Sequence, residues 1–129
     1  MSPLDGISRE ELALLADAAS DDVSFDWVLL HLKLMPELRD SSWRPGSAEL
    51  EAAFSTLAKL SERGLIQVGH TEYLDGGPAG RVAPVKHVAE PLIVVRERVT
   101  SAAANGIDSV DWAFQCWVVG SDLLNEHLM

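Results

Sequence analysis

Four side chains that could bind a divalent metal ion lie between residues 70 and 90. They are two histidines and two glutamates, namely His70, Glu72, His87 and Glu90. A hairpin turning in the glycine-rich segment 75–80 would bring the first three close together, and neutral imidazole and ionised carboxylate are the ligand forms present at pH 7. Their spacing matches no established metal-binding motif. We therefore predict no resident metal or cofactor, and these four residues are the candidates if a metal binds.

The sequence contains no pattern typical of covalent catalysis or of phosphate binding. It lacks a G-x-S-x-G nucleophile motif, and the DGGPAG cluster lacks the G-x-x-x-x-G-K-[ST] spacing of a phosphate-binding loop. The single cysteine, Cys116, has Phe114, Trp117 and Val118 as neighbours, which favours a buried thiol over a reactive one. An enzyme is therefore the least favoured class of function.

The formal net charge of −10 arises from the two ends of the chain. Residues 1–40 hold nine acidic and three basic residues, residues 41–99 hold seven of each, and residues 100–129 hold four acidic residues and no lysine or arginine. A nucleic-acid-binding protein normally concentrates its basic residues on one face, so this distribution favours a basic protein partner. With no long apolar segment and one cysteine, the sequence predicts a cytoplasmic protein without a membrane partner.

The first helix is predicted to begin after Ser8. Ser8 as N-cap and Glu11 three residues later form the pattern of a capping box, with Ile7 placed to form a hydrophobic staple with Leu12. A stripe at helical spacing is predicted to face the core, comprising Leu12, Leu15, Ala16 and Ala19.

A second helix is predicted from Ser24 through Met35, with Pro36 as its stop. Further apolar side chains lie off its inward stripe, at Trp27, Leu30 and Leu34. This helix is therefore either enclosed in the core or offers an apolar patch to a partner.

The third helix is predicted to start at Ser47, after a loop over residues 36–46. Its inward stripe comprises Leu50, Phe54, Leu57 and either Leu60 or Ser61. Gly64 is predicted as the left-handed residue after the helix, with Leu65 folding back on Leu60 in a Schellman ending.

The period of the sequence changes after Gly64, and two strands are predicted on either side of a turn at 75–80. The returning strand covers 81–88 and contains Pro84, which cannot donate to a ladder, so this strand should lie at a sheet edge.

The last forty residues are predicted to add a helix and a strand. Residues 91–104 have the β-branched content of a strand, but a proline at the start, an apolar stripe and Asn105-Gly106 at the end favour a helix. Residues 111–120 are predicted as a strand, and the final residues as a short helix or a loose tail.

This order of elements resembles the winged helix-turn-helix superfamily. The residues that carry the resemblance form the third helix and its ending, together with the turn at 75–80 as the wing tip: Leu50, Phe54, Leu57, Leu60, Gly64, Leu65 and Ile66. The length of the chain predicts a single domain over 1–129. The resemblance covers residues 7–88 and implies an α+β fold with a three-helix core and a β-hairpin wing. Residues 89–129 do not belong to the family pattern and are predicted as an added C-terminal helix-strand extension.

The resemblance also implies how such a domain would bind DNA, with the third helix in the major groove and the wing on phosphate. The residues that would then contact nucleic acid are Arg44, Ser55, Thr56, Lys59, Arg63, Arg81 and Lys86. The first half of that helix departs from this pattern, because it offers Glu49 and Glu51 where a DNA reader would place arginine or an amide.

Aromatic side chains supply the candidates for protein contact. Trp43 beside Arg44 in a polar loop is a combination typical of interface anchors, although Trp43 could instead fold onto its own domain. Trp112 and Trp117 differ by an odd number, so a regular strand would place them on opposite faces. The predicted interaction residues are Trp43, Arg44, Trp27 and Trp117.

Two functions follow from these patterns. The favoured one is a non-catalytic winged-helix-like module for protein–protein interaction or dimerisation, of adaptor, antitoxin or immunity type, with a basic partner. The alternative is a transcriptional regulator that binds DNA as a dimer.

Overall fold

The structure, a computed structural model, describes residues 4–37, 43–73, 84–105 and 111–128. In these ranges the chain forms helices and a four-stranded antiparallel sheet. The helices are α1 (Arg9–Ser20), α2 (Phe25–His31), α3 (Ser47–Glu62), α4 (Leu92–Asn105) and α5 (Asp122–Leu128). The strands are β1 (Val23–Ser24), β2 (Ile66–Tyr73), β3 (Pro84–Ala89) and β4 (Trp117–Gly120). The predicted α+β class is therefore confirmed. The turn at 75–80 and Arg81 lie outside the described residues.

Helix α1 begins as predicted but turns a different face to the core. The Glu11 amide donates to Ser8 Oγ at 3.1 Å and the Ser8 amide to Glu11 Oε1 at 2.8 Å, which is the predicted capping box. Leu14, Leu15 and Ala18 are buried, whereas Leu12 is 39% exposed. The predicted stripe is wrong except at Leu15, because the face of α1 that packs on α2, β4 and α5 carries Glu11, Leu14 and Ala18 instead. The Glu11 carboxylate meets Lys59 of α3 at 2.6 Å.

Helix α2 is shorter than predicted and ends at His31 without the help of Pro36. Lys33 adopts a left-handed backbone with φ of 58°. The Leu34 amide donates to the Leu29 carbonyl at 2.8 Å, and the Lys33 amide donates to the Leu30 carbonyl at 3.1 Å. These two bonds form a Schellman ending around a residue that is not glycine, which no local sequence signal indicates.

Helix α3 and its ending agree with the prediction. The helix buries Leu50, Phe54, Leu57 and Leu60, and Gly64 has a φ of 74°. The Leu65 amide donates to the Leu60 carbonyl at 3.1 Å and the Gly64 amide to the Ser61 carbonyl at 2.9 Å. The predicted Schellman ending is thus confirmed, and it directs the chain into β2.

Replacing Gly64 with alanine is expected to lower the free energy of unfolding by about 1 kcal/mol, because a Cβ atom is strained in the left-handed conformation. Urea denaturation followed by circular dichroism measures this loss. Gly64→Asn is the matched control and should recover part of it, since asparagine enters this conformation more readily. Equal stability of the alanine variant and the wild type would contradict the prediction.

The sheet order is β1-β4-β2-β3, so a strand from the end of the chain lies in the middle of the sheet. Val118 of β4 pairs with Val23 of β1 on one side and with Val68 of β2 on the other. Strand β3, which begins at Pro84, lies at the edge as predicted.

The C-terminal extension contains the favoured helix at 92–105 and a strand shorter than predicted. Helix α4 buries Val95, Val99 and Ala103. Residues 111–114 form a 3-10 turn, and β4 starts only at Trp117, so the prediction of one strand over 111–120 is wrong in its first half. In the described ranges, no helix is both long and apolar enough to cross a membrane.

Candidate functional site

Three charged or polar side chains from distant segments meet beside the sheet in what we call the Glu90 cluster: Glu90, Arg98 and His70. Glu90 lies between β3 and α4, where its amide donates to the Val68 carbonyl at 3.0 Å. Arg98, which lies on α4, donates to both carboxylate oxygens of Glu90, at 2.9 and 2.7 Å. His70 Nδ1 on β2 lies 2.9 Å from Glu90 Oε1.

The Glu90 cluster also holds the backbone before β4. Arg98 donates from Nε and from one terminal nitrogen to the Gln115 carbonyl, at 3.1 and 2.9 Å. The guanidinium therefore bonds both the carboxylate and a main-chain oxygen in a planar fork that lysine could not reproduce. Together these bonds fasten α4 to β2 and to the turn preceding β4.

The electrostatics of the cluster favour permanent ionisation. Hydrogen bonds from Arg98, against the opposing effect of burial, lower the pKa of Glu90 from its ordinary 4.5 to about 2, and His70 contributes further. The same bonds raise the pKa of Arg98. A carboxyl group with so low a pKa is a poor proton donor or acceptor near pH 7.

Cys116 adjoins this cluster and is fully buried. Burial raises the pKa of its thiol to about 12, although the nearby Arg98 charge acts in the opposite direction. Because the thiolate is the nucleophilic form, a buried and protonated thiol is inert. The predicted assignment of a buried rather than reactive cysteine agrees with this environment.

The candidate metal ligands do not assemble as one set. His87 pairs with Thr71 across the β2–β3 hairpin while His70 pairs with Val88, so the two histidines lie on opposite faces of the sheet. His87 Nε2 lies 3.2 Å from the Trp117 carbonyl oxygen. The side chain of Glu72 lies outside the described residues. Within the described ranges, no three His, Cys, Asp or Glu side chains group as ligands.

The basic residues predicted to contact nucleic acid are largely bonded within the domain. Lys59 lies 2.6 Å from Glu11, Arg63 donates to the Asp5 carbonyl, and Arg44 donates to the Ala103 carbonyl at 3.4 Å. Thr56 is half-buried and Ser55 is exposed on α3. Arg81 and the side chain of Lys86 lie outside the described residues.

The four tryptophans occupy very different environments. Trp112 is fully buried, and Trp43 packs edge-on against it with ring centroids 5.8 Å apart. Trp43 therefore folds onto its own domain, the alternative considered for it above. Trp117 stacks on Phe114, which is 52% exposed, with centroids 6.1 Å apart.

Trp27 is the exposed tryptophan, and it lies near acidic residues. We use the name Trp27 surface for Trp27 together with His31 and Asp17. The Trp27 side chain on α2 is 52% exposed, with the ring centroid 6.3 Å from that of His31. His31 Nε2 lies 2.9 Å from Asp17 Oδ2 on α1. Residues 17–26, from the last turn of α1 to the start of α2, carry four aspartates and no lysine or arginine: Asp17, Asp21, Asp22 and Asp26.

A second surface feature is a groove of about 480 Å³ between α3 and α4. Its lining combines apolar side chains with one acid and one base: Glu51, Phe54, Ser55, Ala58, Leu92, Ile93 and Arg96. Glu51 and Ser55 belong to the surface of α3 that would face DNA, so α4 stands beside that surface.

Sequence patterns did not indicate Arg98 or the α3–α4 groove. Arg98 is eight positions from Glu90, which is no helical or strand neighbour, and both Glu90 and the Gln115 carbonyl meet it only in the folded chain. The one local signal was an arginine on the partly buried side of α4 between Val95 and Val99. Comparison of the chain with protein-family models, with curated proteins and with solved structures gives no match.

Proposed function

We propose that this chain is a non-catalytic binding module with a winged-helix-like architecture, and that it binds a basic protein partner through the Trp27 surface. The order of α1, α2, α3, β2 and β3 supports the architecture. Strand β4 adds to it by joining the hairpin to β1. Adaptor, antitoxin and immunity proteins are the kinds of protein in which such a module would act.

The observation that carries the proposal is a half-exposed tryptophan whose ring lies near His31, the hydrogen-bond partner of Asp17, in an aspartate-rich part of the sequence. Tryptophan is enriched among the side chains that dominate interface energies, because it buries a large rigid surface. The neighbouring aspartates supply a negative potential that attracts lysine and arginine. A partner with an apolar pocket rimmed by basic residues complements both features.

The disposition of the basic residues supports a protein partner over DNA. Lys59 and Arg63 already bond Glu11 and the Asp5 carbonyl, so contact with phosphate would require breaking these bonds. Glu51 on α3 would repel phosphate, and α4 flanks the helix that would have to enter the major groove.

Replacing Trp27 with alanine is expected to weaken binding to a basic partner by about tenfold or more, because the truncation removes an interface anchor. The probe is an amphipathic peptide rich in lysine, arginine and leucine, titrated by calorimetry at low salt. Asp17→Asn should weaken binding less and should reduce its dependence on salt.

Ile93→Ala is the matched control, because Ile93 is also exposed but lies on α4. Its affinity for the peptide should equal that of the wild type. A parallel titration with mixed-sequence duplex DNA tests the alternative function. Tight DNA binding with a steep salt dependence, or equal peptide affinity of the Trp27 and Ile93 variants, would overturn the proposal.

A further inference from the structure

The α3–α4 groove has an apolar floor between walls of opposite charge. Phe54, which is 1% exposed, and Leu92 contribute to the floor, while Glu51 stands on α3 and Arg96 on α4. The guanidinium carbon of Arg96 lies 5.9 Å from the centroid of the Phe54 ring. Arg96 is an exposed residue, and its guanidinium lies at cation–π distance from this ring at the groove.

The first turn of α4 leaves a large aliphatic side chain in water at the groove. Ile93, which lines the groove, is 61% exposed. Removing such surface from water stabilises association by about 25 cal/mol per Å² of apolar area, before the costs of binding. An exposed aliphatic side chain next to an apolar groove allows two copies of the chain to associate, with the side chain of each copy in the groove of the other.

The charges of the groove single out a second copy of the chain as its occupant. With a net charge of −10, two copies repel each other across most possible contacts. At the groove, however, each copy presents one carboxylate and one guanidinium on opposite walls. A two-fold axis would place the carboxylate of each copy against the guanidinium of the other. This is the self-complementarity that a symmetric dimer requires.

We infer that the α3–α4 groove is a homodimer interface. In this dimer Ile93 of each copy enters the groove of the other, and Arg96 of each copy faces the partner subunit's Glu51. None of the groove residues lies on α2, so both Trp27 surfaces remain free. The dimer thus presents two binding surfaces, and a partner with two basic sites gains avidity from engaging both.

Reciprocal charge reversal tests this interface, with sedimentation equilibrium as the measurement. The wild type should sediment as a dimer of 14.0 kDa chains. Arg96→Glu and Glu51→Arg alone each place like charges in contact, and each should raise the dissociation constant by about tenfold or more. An equimolar mixture of the two variants restores opposite charges at both contacts of a mixed dimer, and should return the dissociation constant to within about threefold of the wild type.

Two further variants separate loss of the interface from loss of the fold. Ile93→Asp changes a side chain that is mostly exposed, so the variant should keep the wild-type circular dichroism spectrum and unfold cooperatively, yet sediment as a monomer. Arg9→Glu makes the same charge change as Arg96→Glu at an exposed position on α1, and should leave the dimer intact.

A wild-type monomer at all concentrations would overturn the inference, as would a dimer that withstands Ile93→Asp, or a mixture no more associated than its components. The inference stands independently of the Trp27 surface. The monomeric Ile93→Asp variant should still bind the basic peptide, so a failure of either proposal is visible while the other holds.

Discussion

Replacing Trp112 with alanine is expected to lower the free energy of unfolding by about 3 to 5 kcal/mol, because it empties the centre of an aromatic cluster. Trp112 is fully buried and meets the Phe25 ring edge-on at 6.3 Å and the Trp43 ring at 5.8 Å. Phe25 in turn stacks on Phe54 at 5.1 Å. The side chain therefore joins the 3-10 turn to α2, α3 and the segment before α3. Urea denaturation monitored by circular dichroism measures the loss.

Trp27→Ala is the matched control for this variant, because it removes the same atoms from an exposed position. Its free energy of unfolding should fall by no more than about 0.5 kcal/mol. If both tryptophan variants lost the same stability, the 3-10 turn would not be packed at the centre of the core.

Replacing Glu90 with glutamine is expected to lower the free energy of unfolding at pH 7 by about 2 kcal/mol, because Arg98 and His70 lose their anionic partner. The pKa of Glu90 is about 2 in the folded protein against an ordinary 4.5. Between these values the unfolded chain binds more protons, so wild-type stability falls as the pH falls through this window and is fully restored above it. The glutamine variant should lack this part of the acid dependence.

Thermal unfolding at a series of pH values measures the difference. Glu97→Gln changes a glutamate that is exposed on α4, and should follow the wild-type curve throughout. Parallel acid limbs for wild type and Glu90→Gln would show that the carboxylate contributes nothing to stability in the folded state.

Local signals in the sequence predicted the beginnings and endings that depend on neighbouring residues. Ser8 with Glu11, and Gly64 with Leu65, each complete their hydrogen bonds within a few positions. Pro91 likewise stands directly before α4, where the Val94 and Val95 amides donate to its carbonyl. In these places the backbone needs no information from the rest of the chain.

Predictions failed where distant segments decide the outcome. The face that α1 buries depends on its packing against α2, β4 and α5, which leaves Leu12 exposed to solvent. The end of α2 depends on a left-handed backbone at Lys33, a conformation for which lysine has no intrinsic preference. The bonds from Arg98 to Glu90 and to the Gln115 carbonyl depend on how α4 packs against the sheet, which no local pattern encodes.

The position of β4 in the middle of the sheet has a consequence for synthesis on the ribosome. Strands β1 and β2 emerge early, but Val23 and Val68 both pair with Val118, which leaves the ribosome only after most of the chain. Until then the nascent chain carries two uncovered strand edges, which are templates for pairing with other chains. A pause in translation before residue 117 would therefore prolong the state in which this protein is most exposed to aggregation.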